Sequence, residues 1–124
     1  MQDQPTPAEI LTAAAAFLRA PVPPGGEPHA AFITRVCANA LDIARRELEL
    51  GPAQDAAELE RLKGLLGIDG SLLELNRELS RRIAGGEVDL STPGLAEHLW
   101  ATTLDKLAVD QPNYSGYRAA LAER

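Results

Sequence analysis

Five side chains in this sequence have types and positions that could serve a site: Arg35, Asn39, Glu47, His98 and Lys106. His98, Thr102 and Asp105 follow one another at spacings of four and three, which stacks them on one helical face. An imidazole, a hydroxyl and a carboxylate in that order form the hydrogen-bonding part of a proton relay. The same three groups also make an ordinary surface network, and the face opposite them is the apolar one, so the reading here is solvent or a partner. Glu47 falls at a helical position between Val36 and Ala40, within an apolar arc, where desolvation opposes its charge. It therefore calls for a cation, and Lys106 or Arg82 is the expected partner. Asn39 lies at the edge of the same arc, and Glu47, Asn39 or Arg35 could serve as a polar anchor for a small molecule between helices. Asn76 lies within another apolar stripe, where an amide usually bonds a loop or a helix end.

The patterns of known catalytic and cofactor sites are missing. No glycine-rich phosphate loop runs into Lys-Ser/Thr, and Gly25-Gly26 follows no strand. No Ser sits in a nucleophile elbow. The two histidines, His29 and His98, are far apart, and His29 reads as a packed imidazole near a helix start. Cys37 is the single cysteine, so there is no intrachain disulfide and no cysteine-based zinc site; within its apolar arc it reads as inert packing. The reading is of no catalytic residues, no metal and no cofactor.

A net charge of −6 repels a phosphate backbone. The basic pairs Arg45-Arg46 and Arg81-Arg82 sit among carboxylates and read as solvated helix surface, so no nucleic-acid binding is expected. No apolar run approaches the roughly 20 residues that span a bilayer. With Asp3 and Glu9 where a secretory leader would be basic, a cytoplasmic protein with no membrane contact is the simplest expectation.

The elements that must position these side chains read as helices throughout. The expected fold is all-α, five helices in a single compact bundle over residues 1–124, with the second helix central. Thr6-Pro7-Ala8-Glu9 forms a capping box that opens the first helix, with Ile10, Leu11, Ala14, Phe17 and Leu18 on one stripe. The Pro/Gly-rich stretch near 21–28 is expected to be a flexible loop. A second helix from about Pro28 to Leu50 carries apolar residues over half its circumference, too wide an arc for one neighbour. Gly51-Pro52 is expected to end it. A third helix runs from Gln54 to about Leu66, with Leu59, Leu62, Leu65 and Leu66 inward. Ser71-Leu72-Leu73-Glu74 caps a fourth, with Leu72, Leu75, Leu79 and Ile83 inward, ended by Gly85-Gly86. Ser91 or Thr92, followed by Pro93, opens a fifth with Leu95, Leu99, Trp100, Leu104 and Leu107 inward. The tail from Asn113 is expected to be loosely ordered, with at most a short helical turn. Nothing alternates long enough to make a sheet.

Three segments resemble an uncharacterised family of small all-helical bacterial proteins. They are Met1 to Pro7 with the Ala-rich helix ending Phe17-Leu18-Arg19, then Phe32 to Leu41 continuing through Arg45-Arg46-Glu47-Leu48-Glu49-Leu50-Gly51, then Thr92 to Leu99 through Lys106 to Tyr114. The resemblance implies a genomic setting beside aminoglycoside-phosphotransferase-like kinases and acyl-CoA dehydrogenases, and it supplies no catalytic residues. The function expected is a non-catalytic accessory or protein-interaction domain, a homo-oligomer or the partner of such a kinase or dehydrogenase. The rival expectation is a binding protein for an acyl or CoA-like small molecule.

Overall fold

A computed structural model describes residues 4–19 and 27–123. Five helices follow in chain order: α1 Pro7–Arg19, α2 Glu27–Leu66, α3 Leu72–Ala84, α4 Leu95–Asp110 and α5 Ser115–Ala122. No strand occurs among the described residues, and the protein is all-α as the periodicity predicts. The local signals act as expected at several ends. The Thr6 hydroxyl accepts the Glu9 N–H at 3.3 Å while Glu9 Oε2 accepts the Thr6 N–H at 2.7 Å. Ser71 and Glu74 form the same reciprocal box at the start of α3, satisfying donors that a helix start leaves open. Gly85 closes α3 and Gly86 turns the chain away at φ +71°, a conformation that costs glycine nothing. Residues 21–26 of the expected loop lie outside the described residues, and Glu27 and Pro28 belong to α2.

The largest departure is at Gly51-Pro52. The second and third helices expected from the sequence are one helix of 40 residues, with Pro52 inside it. Proline lacks the N–H that would bond to the carbonyl four residues back, a loss of about 3 kcal/mol in a helix interior. Its fixed φ is nevertheless helical, so tertiary contacts can carry the helix through. Those contacts are present just beyond: Gln54 Nε2 donates to the Asp105 carbonyl at 3.1 Å, and Arg61 bonds α4 one and two turns later. The chain's contacts divide into two compact units, and the division falls between Leu50 and Gly51. Gly51-Pro52 thus marks the border of a unit instead of the end of a helix.

In the unit that starts at Gly51, α2 is the central element. It bonds α4 through Gln54 and Arg61, and α3 through Glu58 and the Leu66 carbonyl. Leu62, Leu66, Leu75, Leu79, Val88 and Leu95 form the core there, with Leu59, Leu65 and Leu72 packed at its edge. In the unit ending at Leu50, Ala14 on α1 and Cys37 and Ala44 on α2 are buried. Their neighbours in the expected apolar arc are not: Phe32 is 60% exposed, Val36 44% and Leu48 67%. The tail from Asn113 holds α5, which packs on α4.

Two further expectations need correction. The fifth predicted helix begins at Leu95, not at Pro93, and its N-cap is Gly94 at φ +87° with no side-chain cap. Thr92 and Ser91 are engaged with Asp89 instead: Asp89 N–H donates to Thr92 Oγ1 at 3.1 Å, and Ser91 N–H donates to Asp89 Oδ1 at 2.8 Å. The helix is also turned relative to its apolar pattern. Leu95, His98, Leu104 and Val109 are buried, while Leu99 is exposed and Trp100 is 55% exposed. The polar partners on α2 explain the turn. Arg61 and Gln54 need acceptors, and the face of α4 bearing Thr102 and Asp105 supplies them.

Candidate functional site

The face of α4 that reads as solvent-facing is therefore the inner one. Leu95, His98, Thr102, Asp105 and Val109 recur at three- and four-residue spacings, a single stripe down the helix. Across from it, α2 presents Gln54, Glu58 and Arg61, and α3 contributes Asn76 from the side. Asn76 Nδ2 donates to Glu58 Oε1 at 2.6 Å and to the Leu72 carbonyl at 3.1 Å. Arg61 Nη2 donates to Asp105 Oδ2 at 3.3 Å and to Thr102 Oγ1 at 3.4 Å. Glu58 and His98 are each 3% exposed, the two buried polar residues among the described ones. A charge and an imidazole at that depth are uncommon in a structural core, and such groups concentrate at functional sites.

The geometry rules on the relay. Thr102 and Asp105 both serve Arg61, and His98 Nδ1 makes no hydrogen bond. The three side chains share a face without forming a chain of proton donors and acceptors. Burial lowers the His98 pKa below the ordinary imidazole value; the Arg61 guanidinium adds to this and Glu58 opposes it. His98 is accordingly neutral at neutral pH. The linkage sign follows: the unfolded chain takes up this proton at a higher pH than the folded one, so folding stability falls as pH drops through the unfolded-state value of about 6.5. Urea denaturation of wild type and His98→Gln between pH 7.5 and 5 should show this directly. The wild type should lose stability relative to the variant with a slope of up to about 1.4 kcal/mol per pH unit. Parallel curves would place His98 in water.

Burial also opposes the charge on Glu58, and the Asn76 amide supports it. Elsewhere the surface charges pair locally. Glu78 is held down at about 2 by hydrogen bonds from Arg81 and Arg82. Arg45 bonds Glu49 at 2.7 Å, so both basic pairs have carboxylates beside them as their sequence context predicts. Among the described residues no group of His, Cys, Asp and Glu could hold a metal ion. None of the described helices is long and apolar enough to cross a membrane.

The five residues singled out by sequence fall in both units. Arg35 and Asn39 are exposed on the first half of α2, and Glu47 is half-buried on the same stretch. His98 is buried and Lys106 half-buried on α4. Glu47 and Lys106 each have an interaction partner. Arg82, one of the expected partners of Glu47, instead binds Glu78 Oε1 at 2.7 Å and the Leu66 carbonyl at 3.2 Å. Glu78 lies one turn before it on α3, and that proximity decides the pairing.

Glu58 and Arg61 carry a signal in the sequence as well, by the same wheel argument. At about 100° per residue, Glu58 projects between Leu62 and Leu65, a carboxylate inside an apolar arc just as Glu47 is. Arg61 falls at the edge of that arc, and only the tertiary fold shows that it meets Asp105.

These features define the class: an all-helical protein with a buried polar cluster where its central helix meets two others. The chain belongs to the family described as Domain of unknown function (DUF6285), whose model matches residues 24–114. The curated proteins offer no match, and neither do the solved structures.

Proposed function

We propose that this chain is a non-catalytic accessory or protein-interaction domain of the bacterial cytoplasm, and that its first partner is a second copy of itself. The supporting observation is the uncovered apolar seam on the first half of α2. Phe32, Val36, Ile43 and Leu50 recur at four and seven residues, the spacing of a helix-pairing stripe, and all but the half-buried Ile43 are exposed. Phe17 and Leu11 on α1 are exposed as well. So much apolar surface on one unit marks a contact face, and two-fold pairing is the commonest way to close one. The kinase-like phosphotransferase and the acyl-CoA dehydrogenase implied by the resemblance are the hetero-partners of the same reading.

Sedimentation velocity tests it. The wild type should sediment as a dimer at micromolar concentration, and Phe32→Glu or Val36→Glu should return it to a monomer without loss of helicity. A wild type that stays monomeric to high micromolar concentration, and binds neither purified enzyme, would remove the proposal. The second reading, an acyl or CoA-like ligand anchored by Arg35, Asn39 and Glu47, has less behind it, because Arg35 and Asn39 are exposed.

A further inference from the structure

We propose that the groove between α2 and the start of α4, lined by Arg61, Gly64, Leu65, Pro93, Gly94, Glu97 and His98, binds a small carboxylate with a short apolar body. The site is independent of the proposed contact seam and lies wholly in the unit beginning at Gly51. Its volume is about 320 Å³, at the lower end for small-molecule sites.

Two of the residues lining it each carry a buried atom with no partner among the described residues, Arg61 Nε and His98 Nδ1. Nearly every buried polar group in a finished fold is hydrogen-bonded, so two orphans at one groove point to a missing group. Arginine keeps its proton at any working pH, so its Nε–H can only be met by an acceptor. The Arg61 side chain retains 28% exposure and lines the groove. The start of α4 adds to this demand. Its N-cap is Gly94, no side chain caps it, and the helix runs 16 residues; the Leu95 N–H is met by the Thr92 carbonyl at 3.2 Å, and the positive end of the dipole lies beside the groove that Gly94 and Glu97 line. An acceptor carrying negative charge fits both.

The walls decide the rest. Leu65 and Pro93 are apolar, and Gly64 leaves open space, since a Cβ built there meets nothing within 4 Å. A short hydrocarbon body fills that space. The Glu97 carboxylate on the rim disfavours a second negative charge, which selects a carboxylate monoanion over a phosphate.

The test uses the full chain and sodium hexanoate as probe, followed through the His98 ring resonances. With two histidines in the sequence, the assignment is direct. Hexanoate should shift the His98 signals saturably, while hexanol should not. Gly64→Leu adds a side chain where a Cβ meets nothing within 4 Å, so its thermal melt should stay close to wild type while its hexanoate affinity falls by about tenfold or more. Arg61→Lys, which keeps the charge and loses the Nε–H, should weaken binding similarly. No saturable shift, hexanol binding equal to hexanoate, undiminished binding by a folded Gly64→Leu, or tighter binding of inorganic phosphate than of hexanoate would each overturn the assignment.

Discussion

Leu62→Ala should destabilise the protein by about 2–5 kcal/mol, the range for removing a fully buried leucine and leaving a cavity. Leu62 is completely buried on α2, at the centre of the cluster formed with Leu66, Leu75, Leu79, Val88 and Leu95. Three elements meet on it, so the gap has little room to collapse. The informative comparison is Val36→Ala on the same helix. Val36 is nearly half exposed, and its loss should cost the monomer below about 1 kcal/mol, in the ordinary range for surface positions. Chemical denaturation of both variants, at concentrations where the chain is monomeric, measures the difference. Equal losses would mean that the apolar arc of α2 is buried along its whole length. If Val36→Ala gains in cost as protein concentration rises, the seam is covered by self-association.

Asn76→Leu should cost about 1.5–3 kcal/mol, because it removes a hydrogen bond to a buried charged group and leaves the Glu58 carboxylate less well satisfied. The bond is short, 2.6 Å from Nδ2 to Oε1, and leucine keeps the branched arrangement of heavy atoms while its methyl groups are bulkier than the amide. The pH dependence separates this from a packing loss. Removing a donor to the charged form raises the folded-state pKa of Glu58, while the unfolded value is unchanged. The unfolded state titrates alike in both chains, so the cost is fully present above the variant's raised folded value and shrinks as pH falls from there through the lowered wild-type value. A cost that stays constant from pH 7 down to 3.5 would show that Asn76 acts by shape alone.

Much of this protein is written in local chemistry. The Thr6–Glu9 and Ser71–Glu74 boxes, the Gly85-Gly86 turn and the leucines of α3 need only near neighbours in the chain, and each acts in the structure as its residues predict. The leucine stripe of residues 59–66 likewise supplies much of the core. Three matters depend on partners far away in sequence, and these the tertiary structure decided. Gly51-Pro52 is a helix stop by its own propensity, but cross-helix bonds from Gln54 and Arg61 sustain a helix beyond it. The apolar pattern of α4 favours burying Leu99 and Trp100, yet the acceptors that Arg61 and Gln54 require turn Thr102, Asp105 and His98 inward. The buried cluster itself joins residues 18, 41 and 44 positions apart. A wheel can place a carboxylate such as Glu58 within an apolar arc. Which group satisfies it depends on where another helix packs, and no local spacing carries that information.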